Sequence, residues 1–492
     1  MTAKPAQADY RELFRNALMV GGGSVLNLII GLVRTKFVAV TAGATGIALF
    51  GVFNQIIEVV AAAFSLGLGT SGIRQIADSH AQGDDVKVSR VVRTLRHSVW
   101  ITGTCGALFL IAFSFPITLL TFDGQADYRW SVAMLGLAVL LRAITTGQGC
   151  VVQGIRRLDL FMRISFGGAI GSVLAFIPFA WIWGLDGIAP ALVASALGTL
   201  AVSWWYSRKV TLEPGACGLA EKIQEARLLI AFGLPVMGAG LLGTLSPYLE
   251  RVIMLRHIGI EQLGHYQAAY SLAGISATLV LGVMGAEFYP KLIAYARDND
   301  KFNIELNAQV EVVMILSAPV LAVMAAFPDF WIRIFYTTGF GDAADALVIM
   351  LVGLAGRLFA APIRLALLAK HRAKTVLLLE ALFTVISLGS IASLAPWLGF
   401  IGCAMSFAAL HLSFSVIMSS FLPKLTGQRI SWANLGRLAL LLALLAALLV
   451  ADLAGVSAWV RHMVAISALS ATAFWTYARL RQTLLTPHDT SR

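Results

Sequence analysis

Of the 492 residues in this chain, 58% are hydrophobic and only 13% are charged, whereas about a quarter of the residues in a soluble globular domain are charged. This composition excludes a soluble enzyme or binding module and predicts a protein whose main solvent is lipid. The formal net charge of +11 does not indicate nucleic-acid binding, because Lys and Arg lie between apolar segments instead of forming a basic stretch with interleaved aromatic residues.

The first apolar run follows Arg11 and Arg15, but it is long and lacks a small-residue cleavage site, so we predict a spanning helix there rather than a signal peptide. Each crossing of a bilayer core of roughly 30 Å requires about 20 apolar residues. By this criterion we predict fourteen spanning helices, at residues 13–33, 46–70, 97–120, 130–151, 161–183, 187–206, 228–249, 262–286, 308–327, 343–368, 375–395, 398–421, 434–452 and 458–477. The predicted fold class is therefore an all-α polytopic membrane protein.

Lys and Arg concentrate in the even-numbered connections between these helices, which the positive-inside rule places in the cytoplasm. The second connection, for example, contains Lys87 and Arg90, while the odd-numbered connections are short and poor in basic residues. We therefore predict that both termini are cytoplasmic. Two places disobey the rule, since Arg34 follows the first predicted helix and Arg251 and Arg256 follow the seventh.

These two exceptions occupy equivalent places in two sets of six helices, which indicates an internal repeat. We predict an N-terminal lobe at residues 1–206, a cytoplasmic linker helix at 207–227 and a pseudo-symmetric C-terminal lobe at 228–422. Two additional helices and a cytoplasmic tail are predicted at 423–492.

The four cysteines, Cys105, Cys150, Cys217 and Cys403, show no CxxC or Cys/His spacing. We therefore predict no disulfide, no metal site and no cofactor.

Charged side chains within the predicted spans are the main candidate functional residues, because a charge near the bilayer centre costs roughly 2.5–3.5 kcal/mol on insertion scales. They are Glu58, Arg142, Arg357, Arg364, Glu380 and His411. Arg357 and Arg364 are about two helical turns apart with Pro362 between them, which favours a kinked helix with two cations on one face. One interpretation is a water-filled cationic cavity that binds an anionic substrate such as a diphosphate.

The alternative interpretation gives these charges structural roles. Arg142, Arg364 and Glu380 would then reach the lipid–water interface by snorkelling. Glu250 beside Arg251 would form an ordinary ion pair at a helix end, and Glu58 would pair with a neighbouring arginine instead of binding a coupling ion.

Four short motifs carry a family resemblance: LFRN at residues 13–16, GVF at 51–53, GLGTSGIRQIA at 67–77 and LGHYQAAY at 263–270. They resemble the pattern of O-antigen and polysaccharide flippases, the polysaccharide transporter branch of the multidrug/oligosaccharidyl-lipid/polysaccharide exporter (MOP) superfamily. The resemblance implies two six-helix lobes forming a V, alternating access, and a cationic lumenal site. The fourteen predicted helices are similar to the number in lipid II flippases and some polysaccharide exporters, whereas many O-antigen flippases have twelve.

The resemblance further implies a flippase, not an enzyme, in the bacterial inner membrane. Its substrate would be a polyprenyl-diphosphate-linked oligosaccharide, an O-antigen (lipopolysaccharide) or exopolysaccharide repeat unit, moved from the inner to the outer leaflet. The implied partners are this lipid, membrane lipids and polysaccharide assembly enzymes, with no nucleic acid. The predicted substrate-binding residues are Arg34, Asn54, Gln55, Arg142, Arg251, Arg256, Arg357 and Arg364. The candidates for ion coupling are Glu58, Glu250 and Glu287.

Three other functions remain open on the sequence. A multidrug exporter of the same superfamily would bind cations in an acidic cavity, whereas arginines outnumber acids in the predicted spans. A polysaccharide polymerase or ligase would require a large outer loop, and the predicted outer connections are mostly short. A scaffold in a polysaccharide assembly complex is the third.

Overall fold

The computed structural model describes residues 7–210, 218–284 and 288–453, together with four single residues, Met463, Ile466, Ser467 and Ser470. In these residues the chain forms α-helices joined by short turns, one short 3-10 helix at Thr338–Phe340 and no β-strand. The helices are α1 (Gln7–Phe64), α2 (Leu68–Ala81), α3 (Asp85–Ala112), α4 (Ser114–Thr121), α5 (Arg129–Gly154), α6 (Leu158–Trp183), α7 (Ile188–Ser207), α8 (Leu219–Met284), α9 (Phe288–Ala294), α10 (Asn299–Ala326), α11 (Pro328–Phe335), α12 (Ala343–Ala369), α13 (Ala373–Thr426) and α14 (Trp432–Leu453).

Ten of the described helices are long and apolar enough to cross a membrane, which confirms the predicted all-α polytopic fold. Helices α1, α8 and α13 contain 58, 66 and 54 residues. A straight helix of that many residues would be roughly 80–100 Å long, far more than a single crossing of about 30 Å requires. Each is broken at one glycine, Gly43, Gly259 or Gly399, whose φ of 62°, 75° or 60° lies in the left-handed region. The breaks separate predicted spans one and two, seven and eight, and eleven and twelve. The predicted span at 458–477 lies outside the described residues except for the four single positions.

The placement of Arg34, Arg251 and Arg256 in outer connections is wrong, since Arg256 also lies inside α8. Arg34 lies inside α1, nine residues before the break at Gly43, and Arg251 lies inside α8, eight residues before Gly259. The apolar pattern predicts that each span ends at its first charged residue, whereas in the structure the helix continues past that residue. The apparent exceptions to the positive-inside rule are therefore charges within helices and not in loops.

The two halves of the chain repeat the same order of elements. Helices α3 and α10 have 28 residues each, and each is followed by a helix of eight residues, α4 or α11. The carboxylates of Asp84 and Asp298 cap α3 and α10 by accepting the backbone N–H of Lys87 and Lys301 at 2.9 and 3.1 Å. The hydrogen bond from Lys301 lowers the pKa of Asp298. Such agreement in length and capping supports the internal repeat.

The last two spans of each half are joined by the same kind of glycine turn. Gly184 and Gly399 adopt φ of 54° and 60°, which a residue with a Cβ rarely adopts. Gly187 and Gly402 lie three residues after these two turn glycines. A Cβ atom on Gly187 would lie 2.2 Å from the carbonyl oxygen of Phe179, and a Cβ atom on Gly402 would lie 2.5 Å from that of Leu394. These turns therefore require glycine both for backbone conformation and for close approach.

Gly402→Val is expected to lower the melting temperature of the purified protein by several degrees, because relieving the clash costs about 1–3 kcal/mol. Gly389→Val is the matched control, since Gly389 lies in the same helix and a Cβ there meets no atom within 4 Å. Thermal unfolding followed by intrinsic fluorescence compares the two variants. Equal melting temperatures would show that the turn tolerates a side chain.

Contacts divide the chain into two compact units, Met1–Gly264 (the first unit) and His265–Arg492 (the second unit). In the first unit, buried residues of α2, α3 and α5 pack together, among them Ile76, Leu95 and Val151. In the second unit, α12 is largely buried, with Leu351 and Leu358 fully enclosed. The lobe boundaries predicted from the repeat, at 206 and 228, remain a prediction.

Candidate functional site

A small, partly open cleft lies in the first unit among α1, α2, α3 and α5. Most of its walls are apolar, including Phe64, Leu68 and Val99. Among the lining residues, all of which the structure describes, Arg142 of α5 alone is charged. The cleft therefore brings one cation into an otherwise neutral space within the spanning helices.

Arg142, which lines this cleft, forms an ion pair with Glu58 of α1. One terminal nitrogen of Arg142 lies 2.5 Å from the Oε1 atom of Glu58, and the two side chains are 43% and 39% exposed. The pairing that we considered as an alternative for Glu58 is thus present in the structure. Neither partner is therefore enclosed by protein.

Gln55 links α1 to α8 through both ends of its amide. Its Nε2 donates to the carbonyl oxygen of Thr244 at 2.8 Å, and its Oε1 accepts from Arg251 at 3.3 Å. The same Arg251 nitrogen donates to the carbonyl oxygen of Pro247 at 2.9 Å. Side chains from α1 and α8 therefore donate to two backbone carbonyl oxygens of α8, those of Thr244 and Pro247.

Gln55 and Glu58 are three residues apart and lie on neighbouring parts of one helix face, with Cβ atoms about 5–6 Å apart. Each presents an oxygen to an arginine from a different helix, Arg142 of α5 and Arg251 of α8. Four of the residues singled out from the sequence are therefore brought together here.

The other predicted residues of the first unit lie elsewhere. Arg256 donates to the carbonyl oxygen of Leu120 at 2.9 Å and lies 3.9 Å from Asp123, so it attaches α8 to the end of α4. Asn54 donates to its own helix at the carbonyl oxygen of Phe50. Glu250 accepts a hydrogen bond from Ser246 of its own helix at 3.3 Å.

Arg34 lies among α1, α6 and α7. Its guanidinium group is 5.0 Å from the ring centre of Phe50 and 5.9 Å from that of Phe176. A terminal nitrogen donates to Ser195 at 3.5 Å, and the buried Nε has no hydrogen-bond partner among the described residues. Aromatic faces stabilise a cation here without neutralising its charge.

In the second unit, Arg357 and Arg364 are both exposed positions of the mostly buried α12, as their seven-residue spacing predicts. Arg364 pairs with Glu380 of α13 at 2.9 Å. No carboxylate among the described residues forms an ion pair with Arg357. Glu287, a candidate for ion coupling, lies outside the described residues.

Sequence reasoning missed a polar cluster between α10 and α14. Arg437 donates to Glu311 at 2.7 Å and to Asn434 at 2.5 Å, and the Arg437 and Glu311 side chains are only 16% and 24% exposed. Asn307 accepts from the backbone N–H of Ser431 at 2.7 Å. The available signal was the helical spacing of Asn303, Asn307 and Glu311, which forms one polar stripe at the start of an apolar span.

A family model described as "Polysaccharide biosynthesis protein" matches residues 49–345. No curated protein matches the chain significantly by sequence.

Solved structures share its fold at low sequence identity. An inward-facing multidrug resistance MATE family transporter of the MOP superfamily has a TM-score of 0.68 and 15% identity, with 84% of this chain and 95% of that chain covered. The lipid II flippase MurJ in an inward closed conformation has a TM-score of 0.68 and 13% identity, with 93% and 98% covered. A MOP superfamily transporter from Pyrococcus furiosus, described as having a binding pocket of reversed polarity, has a TM-score of 0.58 and 16% identity, with 84% and 94% covered.

At these identities the structural likeness establishes the fold, while the family match covers more than half of the chain. Together they confirm the resemblance found in the sequence motifs. The chain belongs to the polysaccharide biosynthesis protein family and has the fold of the transporters and flippases of the MOP superfamily.

Proposed function

We propose that this protein flips a polyprenyl-diphosphate-linked oligosaccharide, an O-antigen or exopolysaccharide repeat unit, from the inner to the outer leaflet of the bacterial inner membrane. The chain would alternate between states open to one side and to the other, with both termini in the cytoplasm. Family membership and the flippase fold support this proposal. The sugar-diphosphate head would cross within the protein while the polyprenyl tail stays in lipid.

The observation that carries the proposal is the pair of arginines held at one face of α1. A cation within a bilayer costs free energy. Arg142 of α5 contacts Glu58 and Arg251 of α8 contacts Gln55, and these two residues of α1 are three positions apart. Arginine binds phosphate oxygens through paired, charge-assisted hydrogen bonds. Two arginines so placed suit a diphosphate better than an organic cation.

Arg357 and Arg364 give the second unit its own cationic surface within a spanning helix. Arg364 shares its charge with Glu380 at 2.9 Å, whereas Arg357 has no ion pair among the described residues. We propose that Arg357 makes the larger contribution to binding, because no internal anion competes for it.

Arg357→Ala is expected to reduce transport of a polyprenyl-diphosphate-linked sugar more than tenfold, since a hydrogen bond to a charged group contributes about 1.5–3 kcal/mol. Arg364→Ala should have a smaller effect. Purified variants in proteoliposomes, assayed by enzymatic access to the sugar in the outer leaflet, provide the measurement. Arg129→Ala is the control, because Arg129 is exposed at the start of α5 and stacks only on Phe115 and Trp130.

Full activity of the Arg357→Ala variant would remove Arg357 from the proposed site. Wild-type protein that exports organic cations but leaves the lipid-linked sugar in place would instead support a multidrug exporter.

A further inference from the structure

We propose that a basic surface at one end of α5, α6 and α7 binds the headgroup of an anionic phospholipid. The basic surface consists of Arg156, Arg163, Arg208 and Lys209, all of which are exposed. It lies in the first unit and shares no residue with the proposed transport site. The lipid bound here is a component of the surrounding membrane and not the transported substrate, so this contact lies beyond the proposed function.

The packing of three helices brings these cations to one end of the first unit. Helix α7 returns along α6, so the end of α7 lies beside the turn between α5 and α6. There Tyr206 and Val210 pack against a buried cluster that includes Val152 of α5 and Leu160 of α6. The cations that flank these residues along the chain therefore belong to one surface.

The positive charge of the basic surface is not neutralised by the described part of the chain. Asp159 is the single carboxylate within residues 155–164 and 204–210, and Arg157 holds it through two hydrogen bonds of 3.0 and 3.1 Å. Arg157 is for this reason left out of the surface. None of the four surface cations forms an ion pair with a described carboxylate. An anion from outside the protein therefore has no described internal partner to displace.

Aromatic side chains in the basic surface indicate that this anion is a lipid. The guanidinium carbon of Arg208 lies 4.9 and 4.0 Å from the ring centres of Trp204 and Trp205, which are 55% and 51% exposed. The Nζ atom of Lys209 lies 4.9 Å from the ring centre of Tyr206. Exposed tryptophan at the end of a spanning helix is typical of the membrane–water interface. The ring contacts hold Arg208 without using its hydrogen-bond donors, which stay available for a phosphate.

A phospholipid uses both parts of the basic surface at once. Its phosphate oxygens accept from the guanidinium groups, while its acyl chains contact the indole rings and the exposed Leu158. A free phosphate ion or an acidic protein segment would use the cations alone. Anionic headgroups are favoured over neutral ones, because each basic residue near a membrane surface strengthens binding of anionic lipid by about fivefold.

The test measures binding of dioctanoyl phosphatidylglycerol and of dioctanoyl phosphatidylcholine to the purified full-length protein in detergent. Native mass spectrometry resolves each bound lipid and provides the affinities. For wild type, we expect tighter binding of phosphatidylglycerol than of phosphatidylcholine. Arg208→Gln should lose about fivefold in affinity for phosphatidylglycerol, as expected for one cation, and should bind phosphatidylcholine as wild type does.

Arg156→Gly is a second variant that removes a cation without straining the backbone. The φ of Arg156 is 58°, which glycine adopts freely. His371→Gly is its matched control, because His371 has a φ of 59° in the turn between α12 and α13 and makes the same kind of backbone hydrogen bond to the carbonyl oxygen three residues earlier. Arg156→Gly should lose several-fold in affinity for phosphatidylglycerol, whereas His371→Gly should keep the wild-type affinity.

Arg297→Gln is the control for charge alone, since Arg297 is exposed in the turn before α10 and has no aromatic ring against it among the described contacts. Equal losses of affinity in Arg297→Gln and Arg208→Gln would show that the lipid responds only to total charge, and would overturn the proposed surface. Equal affinities of wild type for the two lipids would overturn it as well. Displacement of phosphatidylglycerol by the same concentration of inorganic phosphate would identify a phosphate-ion site instead. Each of these outcomes leaves the proposed transport function standing.

Discussion

Replacing Arg142 and Arg251 together by glutamine is expected to reduce transport of a polyprenyl-diphosphate-linked sugar to background. Each arginine offers a charge-assisted hydrogen bond worth about 1.5–3 kcal/mol, so each single variant should lose roughly tenfold to a hundredfold. The two contacts act on one ligand, and their effects need not add. Glutamine keeps a donor in place but removes the charge.

The Arg142→Gln substitution also leaves Glu58 without its partner, so the variants should be compared in a Glu58→Gln background. Comparison in this background separates the loss of ligand binding from the free-energy cost of an unpaired carboxylate in the membrane. Arg157→Gln, which breaks an exposed pair with Asp159, is the control. Transport within twofold of that control in the double variant would contradict the site.

Arg437→Ala is expected to lower the free energy of unfolding by about 3 kcal/mol, because it leaves the Glu311 carboxylate without its cation. The pair is mostly covered, and Arg437 also donates to Asn434. Since Asn434 in turn donates to the carbonyl oxygen of Asn307 at 2.8 Å, loss of Arg437 should loosen the start of α14 on α10. The measurement is denaturant unfolding of the purified protein.

Two comparisons make this prediction specific. Adding Glu311→Gln to Arg437→Ala should recover part of the stability, since the uncompensated charge is removed. Arg157→Ala, which breaks an ion pair in an exposed turn, should change the stability little, because exposed ion pairs contribute little. An Arg437→Ala variant as stable as Arg157→Ala would show that the cluster does not hold α14.

Several features of the site could be predicted from local pattern. The seven-residue spacing of Arg357 and Arg364 identified one face of α12, and both side chains are exposed there. Glu58 and Arg142 stood out because each is a charge within an apolar run. Their pairing was one of the two interpretations, and the structure shows it.

Other features could not be predicted from local pattern. The apolar pattern places Arg34 and Arg251 in loops, because a charge usually ends a spanning segment. In the structure each helix continues past its arginine and breaks only at a glycine several residues further on. Gln55 carried no charge and gave no signal for its bond to Arg251, which is 196 positions away. Glu311 and Arg437, 126 positions apart, were missed for the same reason.

The sequence by itself determined that the chain lies in a membrane, how its spans succeed one another, and which side chains are charged within them, because these properties depend on composition and spacing along a few turns of helix. Only the tertiary structure decided which charges meet. Contacts such as Glu58 with Arg142 depend on how helices distant in the chain pack, and on the glycine and proline positions where those helices bend.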